Sequence, residues 1–298
     1  MHRTPRILIL ALFGLVPLGA IPPQATPSPQ ADDRPRILIT NDNGIDDPKL
    51  IALARAFADR AETWVVAPAQ DQSGSSTYLK LPRTGSVAVE RRDLGPGIEA
   101  FAVDGFPGDC VMVGAGGIMK DRLPTLVVSG INGGPNLGAD WLFSGTIGAA
   151  RVAALAGIPA IAVSGLDDDV PGAVEAAVDW VVRFAEHRTV RELEPGEYLT
   201  VSLPPGGPTE VKGVKVADRA PLRRGPILDY DEAAGTCKFA GLTTLEVPLS
   251  PIADESLHAD GMVVVVPMHA NEVNSLRFLQ WTRSDPGFPS WSSGGPER

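Results

Sequence analysis

Residues 36–44, which decide the fold, read Arg36-Ile37-Leu38-Ile39-Thr40-Asn41-Asp42-Asn43-Gly44. Among the first five, Ile37, Leu38 and Ile39 put apolar side chains on both faces of an extended chain, as is typical of a central strand in a parallel sheet. The polar remainder, 41–44, indicates a loop at the end of that strand. After the loop, Asp47 and Pro48 have the residue types of a helix N-cap and first turn. The sequence therefore predicts a buried strand that runs through a polar loop into a helix.

The same alternation continues along the chain. A second strand, 63–67, ends at Pro68, and strand–loop–helix–strand units of this kind close right-handed into a doubly wound parallel sheet. Beyond Pro204, proline and glycine are frequent and the strands are short, which indicates a β-rich arm over about residues 205–258. The predicted fold is a three-layer α/β/α domain with a mostly parallel, Rossmann-like sheet and this C-terminal arm. Further strands are predicted at 125–129, 160–164, 198–203, 211–216, 243–247 and 261–267. Helices are predicted at about 109–119, from 144 onward, and at about 172–186. The stretch 78–103 is predicted to be extended, and 130–140 is predicted to be a loop.

The N-terminus has the pattern of a signal peptide. Arg3 and Arg6 precede the apolar run 7–16, and the small residues Gly19 and Ala20 follow. That run is shorter than the roughly 20 apolar residues of a membrane-spanning helix. The expectation is a cleaved signal peptide at 1–20, a secreted or periplasmic protein and no stable membrane span, with a membrane anchor as the alternative. The remaining predicted segments are a linker at 21–34, the main domain at 35–283 and a disordered tail at 284–298.

Composition excludes several classes of protein. The formal net charge is −10 and the pI is about 4.9, which disfavours binding to long nucleic acids. A small anionic substrate would need a cation or backbone N–H groups to offset this field. Two cysteines, Cys110 and Cys237, are too few for a disulfide scaffold or a paired-cysteine metal site. They form either one disulfide or two separate buried thiols.

Oxygen-bearing side chains follow three of the predicted strands. Asp42 and Asn43 follow the first, Ser73 lies after the second, and Asn132 lies after the strand at 125–129. Ligands of open α/β sheets sit outside the carboxyl ends of the strands. Oxygen donors suit Mg²⁺, Mn²⁺ or Ca²⁺ and not a dedicated zinc site. Taken singly, each residue is equally compatible with a turn or a helix cap.

Six segments in order resemble one family, the SurE proteins. Residues 40–44 are similar to the opening of that family, where a strand runs into N-D-D-G, and residues 66–74 are similar to its V-A-P-x-x-x-x-S segment. Residues 105–110 resemble its G-T-P-x-D-C, with Phe106 at the threonine. Residues 128–138 closely resemble V-S-G-I-N-x-G-x-N-x-G, 144–146 resemble S-G-T, and 260–269 resemble E-G-Y-V-S-I-T-P-x-H.

The resemblance implies a phosphohydrolase that acts on nucleoside 5′- or 3′-monophosphates with one divalent cation, Mg²⁺ or Mn²⁺. It implies homodimers or homotetramers that exchange C-terminal segments. The residues that match the family's metal ligands are Asp42, Asn43, Ser73 and Asn132, and those that match its phosphate-binding loops are Asn136, Ser144, Gly145 and Thr146. Asp42 is then the candidate catalytic residue, as a ligand that also orients the attacking water. Asp254, His258 and His269 are candidate proton carriers.

Two departures from the family pattern bear on activity. Asn43 replaces the second aspartate, which removes one negative charge, and Val152 stands where the family often has a glutamate. The alternative hypothesis is therefore a catalytically weakened protein of the same fold that binds nucleotides or phosphate. A dinucleotide-dependent oxidoreductase is disfavoured, because the first strand does not lead into G-x-G-x-x-G.

Overall fold

A nine-stranded sheet forms the centre of the molecule. The computed structural model describes residues 34–166, 169–222, 224–272 and 283, and those from Arg34 onward belong to one structural unit. In chain order the strands are β1 Arg36–Thr40, β2 Glu62–Pro68, β3 Val89–Arg92, β4 Ile98–Val103, β5 Leu126–Asn132, β6 Ala160–Ser164, β7 Glu197–Ser202, β8 Gly213–Val216, β9 Arg224–Asp231, β10 Thr236–Thr244 and β11 Met262–His269.

The sheet has the order β3-β4-β2-β1-β5-β6-β7-β11-β8. The six strands from β4 to β7 pair in parallel, while β3 is antiparallel to β4 and β11 is antiparallel to β7. The mostly parallel sheet is therefore confirmed, and antiparallel strands are added towards the C-terminus. β9 and β10 form a separate antiparallel hairpin.

Helices cover both faces of the sheet. Alternate residues of β1 point to opposite faces, so Ile37 and Ile39 join one apolar cluster and Leu38 joins the other. The first cluster contains residues of α1 (Pro48–Ala58) and α5 (Ala173–Ala185), and the second contains residues of α3 (Pro107–Val111) and α4 (Gly145–Leu155). This arrangement confirms the three-layer α/β/α prediction. The helices are α1 Pro48–Ala58, α2 Leu81–Thr84, α3 Pro107–Val111, α4 Gly145–Leu155, α5 Ala173–Ala185, α6 Arg188–Arg191 and α7 Asp254–Ala259.

Capping residues determine where the first and fourth helices begin. The Asp47 side chain accepts a hydrogen bond from Lys49 N at 2.7 Å, and Pro48 opens α1, as predicted. Ser144 caps α4 by accepting from Ile147 N at 3.1 Å. These caps determine the residues at which α1 and α4 begin, next to the loops that form the candidate site.

Some predicted elements differ from the structure. The stretch 78–103 contains the short helix α2, and α3 gives way to a π-helical segment, Met112–Ile118. β5 runs to Asn132, so the predicted loop begins later. In the predicted arm, β8 belongs to the main sheet beside β11 and only β9–β10 projects as a hairpin. Pairing between β8 and β11 depends on contacts distant in sequence, which local patterns do not encode.

The two cysteines do not pair. Both are free; Cys110 is buried and Cys237 is exposed on β10. The disulfide alternative is therefore wrong, and the alternative of two buried thiols holds for Cys110 alone.

The predicted signal peptide (1–20), nearly all of the linker (21–34) and the tail (284–298) lie outside the described residues. Within the described ranges, no helix is long and apolar enough to cross a membrane. The predicted export and its membrane-anchored alternative depended on the apolar run at 7–16 and the residues that flank it, all of which lie outside the described residues. A run of that length is not specific to secretion, and nothing in the described structure supports either prediction.

Candidate functional site

Three neighbouring strands bring the candidate residues to one edge of the sheet. β1 lies between β2 and β5, with Ile39 opposite Val65 and Thr40 opposite Ser129. The strands are parallel, so their carboxyl ends lie at the same edge. The loops after β1, β2 and β5 therefore share that edge, as predicted from the sequence.

Asp42 is the buried centre of this edge. Its carboxylate accepts two hydrogen bonds from Thr146, from the hydroxyl to Oδ1 at 2.8 Å and from the backbone N–H to Oδ2 at 3.1 Å. Burial raises the pKa of the Asp42 carboxyl, the Thr146 bonds oppose that rise, and the charge of Asp71 adds to it. The carboxylate is fixed in orientation and retains lone pairs for a further partner.

Two glycines let α4 approach this carboxylate. A Cβ on Gly145 would lie 2.9 Å from both Asp42 Cβ and Ser75 Oγ, and a Cβ on Gly148 would lie 2.0 Å from Ser76 O. The first turn of α4 therefore packs directly on the loops after β1 and β2. The positive end of the helix dipole faces the Asp42 carboxylate, which stabilises its charged form.

The residue next to Ser73 contacts Asp42 directly. Gln72 N donates to the backbone oxygen of Asp42 at 2.7 Å, which draws the loop after β2 against the loop after β1. Ser73 donates its hydroxyl to Asp71 Oδ1 at 2.6 Å, and Ser73 N donates to the same atom at 2.9 Å. Asn132 ends β5, and its amide nitrogen donates to Gly134 O at 2.8 Å.

A divalent cation fits the donors at this edge. Within the described ranges, no group of three or more His, Cys, Asp or Glu is placed to hold a metal ion. The loops beside Asp42 supply amide and hydroxyl oxygens as further donors. Asn43 Oδ1 is buried and has no hydrogen-bond partner in the described part of the chain. An unsatisfied buried acceptor is costly, and a cation would satisfy it. The set of carboxylate, amide and hydroxyl oxygens suits a hard ion.

The residues that were predicted to bind phosphate make different contacts in the structure. The Ser144 hydroxyl caps α4, and both Thr146 donors serve Asp42. Asn136 donates its amide to Ser164 Oγ at 2.6 Å, across the ends of β5 and β6. Gly145 provides the close approach described above. A role for any of these residues in binding phosphate stays a prediction.

Asp254 has a structural position that excludes it as a proton carrier. Its carboxylate is fully buried and accepts from Gly138 N, Ala220 N, Glu255 N and Arg219 Nη1, each at 2.9 Å. Burial lowers the pKa of the Arg219 guanidinium, and the charge of Asp254 opposes this decrease.

The two histidines are also engaged elsewhere. His258 Nε2 contacts Leu203 O at 2.8 Å. His269 lies beside Gly196, which precedes β7 and therefore marks the opposite edge of the sheet from Asp42. The His269 imidazole is therefore not placed to exchange a proton at Asp42.

Sequence reasoning missed two contributors to this edge. Asp71 bonds Ser73 and acts electrostatically on Asp42; an acidic residue two positions before Ser73 was the available signal. Arg219 Nη1 donates to Asn136 O at 2.8 Å, which holds the loop after β5 from a segment 83 residues away. No local pattern pointed to Arg219. Val152, where the family often has a glutamate, is buried in the second apolar cluster.

Comparison with known proteins identifies relatives of the chain. The family model "Survival protein SurE" matches residues 37–224. A "5'-nucleotidase SurE 1" of Burkholderia lata is 37% identical over 243 residues, covering 78% of this chain and 90% of the relative. A "5'/3'-nucleotidase SurE" of Cronobacter sakazakii is 34% identical over 248 residues, covering 79% and 90%. The crystal structure of SurE from Aquifex aeolicus superposes with a TM-score of 0.68 at 28% identity, covering 83% of this chain and all of that one.

The comparisons also bear on the predicted location. The family match begins at residue 37, beyond the apolar run at 7–16. The prediction of a secreted or periplasmic protein is therefore corrected, since neither the relatives nor the described structure supports a signal peptide.

Proposed function

The chain belongs to the SurE family, and from this premise we propose that it is a metal-dependent phosphomonoesterase that hydrolyses nucleoside 5′- or 3′-monophosphates to nucleoside and phosphate. The observation that carries the proposal is the buried Asp42 carboxylate, held by two donors of Thr146 at an edge where three strand-end loops meet. The proposed catalytic domain spans residues 35–283.

We propose that Asp42, Asn43, Ser73 and Asn132 hold one divalent cation, Mg²⁺ or Mn²⁺. Two observations support this assignment: Asn43 Oδ1 has no hydrogen-bond partner among the residues that the structure describes, and the Asp42 carboxylate is fixed by Thr146. When bound, such an ion withdraws charge from phosphorus and lowers the pKa of a water molecule. Asn43 contributes an amide oxygen in place of a carboxylate, so we expect weaker binding of the ion than an Asp–Asp pair would give.

The chain's own groups would orient the reactants. Asp42 cannot rotate away from Thr146 without losing two hydrogen bonds, so its carboxylate is preorganised to orient the attacking water. Asn136 and the backbone of the first turn of α4 would bind the phosphate oxygens, with the helix dipole favouring the anion. The oxygen of water forms a bond to phosphorus and gives up one proton, the ester P–O bond breaks, and the departing nucleoside oxygen takes up one proton, so that the products are nucleoside and phosphate.

Phosphate release from AMP in the presence of Mn²⁺ tests this function. We expect turnover by the purified protein and none by Asp42→Ala. Asp46→Ala is the matched control, because Asp46 is close in sequence but pairs with Arg92 on the surface at 2.7 Å. Absence of turnover with every divalent cation would contradict the proposal.

One observation favours a second candidate, a nucleotide-binding protein with weakened catalysis. Asn43 leaves Asp42 as the single carboxylate among the four proposed ligands. Equilibrium binding of AMP without phosphate release would identify this case, and restored turnover in Asn43→Asp would show that the missing charge is the cause.

We propose that the β9–β10 hairpin joins subunits into a homodimer or homotetramer. Its exposed apolar side chains support this, since Tyr230 is 70% and Phe239 66% exposed. A soluble monomer rarely leaves such a patch uncovered. Light scattering should show that Tyr230→Asp with Phe239→Asp dissociates the assembly, whereas Leu155→Asp, at a residue 67% exposed on α4, should not. A wild-type monomer would contradict the proposal.

A further inference from the structure

A cavity of about 650 Å³ adjoins the Asp42 edge. Its wall includes Gln72 and Ser75 from the loop after β2. Gln72 N donates to Asp42 O at 2.7 Å, and Ser75 Oγ is as close as Asp42 Cβ to the position of a Cβ on Gly145, at 2.9 Å. The cavity is thus continuous with the loops that surround Asp42. Its volume is within the range of small-molecule sites, roughly 300–1,000 Å³.

The wall of this cavity also carries two aromatic rings. Tyr78 and Phe106 meet edge to face, with ring centroids 4.6 Å apart and planes at 74°. Phe106 follows β4, and Tyr78 is 46% exposed. An edge-to-face pair leaves ring surface uncovered, and uncovered aromatic faces stack on planar bases. Phe106 stands where the motif G-T-P-x-D-C has threonine, so this ring is a feature of the present chain.

A buried carboxylate holds the two aromatic segments in register. Asp109 is fully buried and accepts from Phe106 N at 3.0 Å, Lys80 N at 2.9 Å and Leu81 N at 2.8 Å. It therefore joins the segment that carries Tyr78 to the turn that carries Phe106. The aromatic wall is preformed, which reduces the entropy lost when a ligand binds.

The charges at the cavity are paired. Lys80 Nζ lies 2.8 Å from Asp104 Oδ2 and also donates to Asp104 O at 3.0 Å. A second phosphate group would need an unpaired cation, which this lysine does not supply. An uncharged group with a planar ring and hydroxyls suits the wall better, because the exposed Asp104 carboxylate accepts hydrogen bonds from hydroxyls.

We propose that this cavity binds the nucleoside part of the substrate, with the base stacked on the Tyr78–Phe106 pair. The proposal rests on the proposed nucleotidase function and names its specificity-determining residues. Stacking acts on the leaving nucleoside and not on phosphorus, so its loss should affect nucleotides and spare simple phosphate esters.

The test compares kcat/KM for AMP with kcat/KM for glycerol 2-phosphate, which has no base. For Phe106→Ala and Tyr78→Ala we expect the AMP-to-glycerol-phosphate ratio to fall about tenfold. Phe106→Tyr should retain the wild-type ratio. The matched control is Phe184→Ala, which removes the same ring from another aromatic pair, Trp180–Phe184, with centroids 4.8 Å apart on α5. Circular dichroism verifies the folding of each variant.

The outcomes separate the two proposals. An unchanged ratio in both alanine variants, or an equal fall for both substrates, would overturn the nucleoside site. If the wild type hydrolyses neither ester, the proposed function fails. Calorimetric titration with adenosine then tests whether the cavity binds a nucleoside. Adenosine binding that weakens about tenfold in Phe106→Ala would uphold it, whereas no adenosine binding would overturn it.

Discussion

Arg219 and Asp254 form a buried ion pair, with Nη1 2.9 Å from Oδ2, and the same Nη1 donates to the backbone oxygen of Asn136 at 2.8 Å. Arg219 Nη2 also donates to Thr200 on β7. The pair therefore joins the segment after β8 and the start of α7 to the loop after β5. The C-terminal part of the chain stabilises the loop in which Asn136 lies.

Removal of Asp254 should destabilise the fold strongly. Asp254→Ala leaves the Arg219 charge without its partner in a largely buried site, and it also removes the acceptor for Gly138 N and Ala220 N. Loss of one partner of a buried pair costs about 3–5 kcal/mol. We expect a decrease of that size in the free energy of unfolding, measured by urea denaturation.

The control for this variant is an exposed pair. Asp179 and Arg183 form a surface pair in which the side chains are 63% and 62% exposed. Asp179→Ala breaks this pair and should lower the free energy of unfolding by less than about 1 kcal/mol. Equal losses in the two variants would contradict the role assigned to Asp254.

Thr146 should control the site through Asp42. Thr146→Val keeps the shape of the side chain and removes the hydroxyl that donates to Asp42 Oδ1 at 2.8 Å. Loss of a group that orients a metal ligand typically costs about 10- to 100-fold in activity or metal affinity. Both the Mn²⁺ affinity and the rate of AMP turnover should fall by that factor. Thr146→Ser keeps the hydroxyl and should retain most of the wild-type affinity and turnover. A valine variant with wild-type Mn²⁺ affinity would refute this coupling.

The charge near Asn43 should set the affinity for the cation. Asn43→Asp puts a carboxylate in place of an amide oxygen that is buried and has no hydrogen-bond partner among the described residues. We expect Mn²⁺ to bind at least tenfold tighter, or about 1.4 kcal/mol. Asp71→Asn should weaken binding, because Asp71 adds negative charge near Asp42. Calorimetric titration measures both.

Intact mass must verify the wild-type sample, since Asn43-Gly44 is prone to deamidation and a converted fraction would mask the difference. Weaker binding by Asn43→Asp would show that the amide is the better ligand here.

The sequence predicted the strand-and-helix order well where signals are local. The apolar run of β1, the Asp47 cap and Pro48 lie within a few residues of the structure they specify, and β1, β2, β5, β6 and β7 all form as expected. The edge shared by Asp42, Ser73 and Asn132 followed from the parallel order alone. Ligands bind outside the carboxyl ends of parallel strands, and applying this rule requires only the order of the strands and no side-chain contacts.

Contacts between distant segments could not be predicted in this way. The two bonds from Thr146 to Asp42 span 104 residues, and the bond from Gly138 N to Asp254 spans 116. The phosphate-binding role of Thr146 came from the family resemblance and stays a prediction, whereas its bonds to Asp42 had no signal in the sequence. Asp254 was proposed as a proton carrier without knowledge of its bonds to Arg219 and Gly138. β8 looked like part of an arm for the same reason, since its partner β11 lies far along the chain.

The two thiols should differ in reactivity. Cys110 is fully buried and Cys237 is exposed, so Ellman's reagent should titrate one thiol per native chain and two after denaturation. Burial raises the pKa of Cys110 well above the ordinary thiol value of 9.0, and the charge of Asp109 adds to that rise. Above that ordinary value the unfolded chain loses a proton that the folded chain keeps. The unfolded state then binds fewer protons, so stability must fall as pH rises.

Urea denaturation between about pH 8 and pH 10 measures this fall. Cys110→Ala should lower stability at every pH, because it leaves a small void in the core, but it should also make the alkaline decline shallower. Cys237→Ala, at an exposed thiol, should keep the wild-type slope. An identical slope in Cys110→Ala would mean that other groups cause the decline, and rapid native labelling of both thiols would mean that the second apolar cluster opens far more readily than its packing indicates.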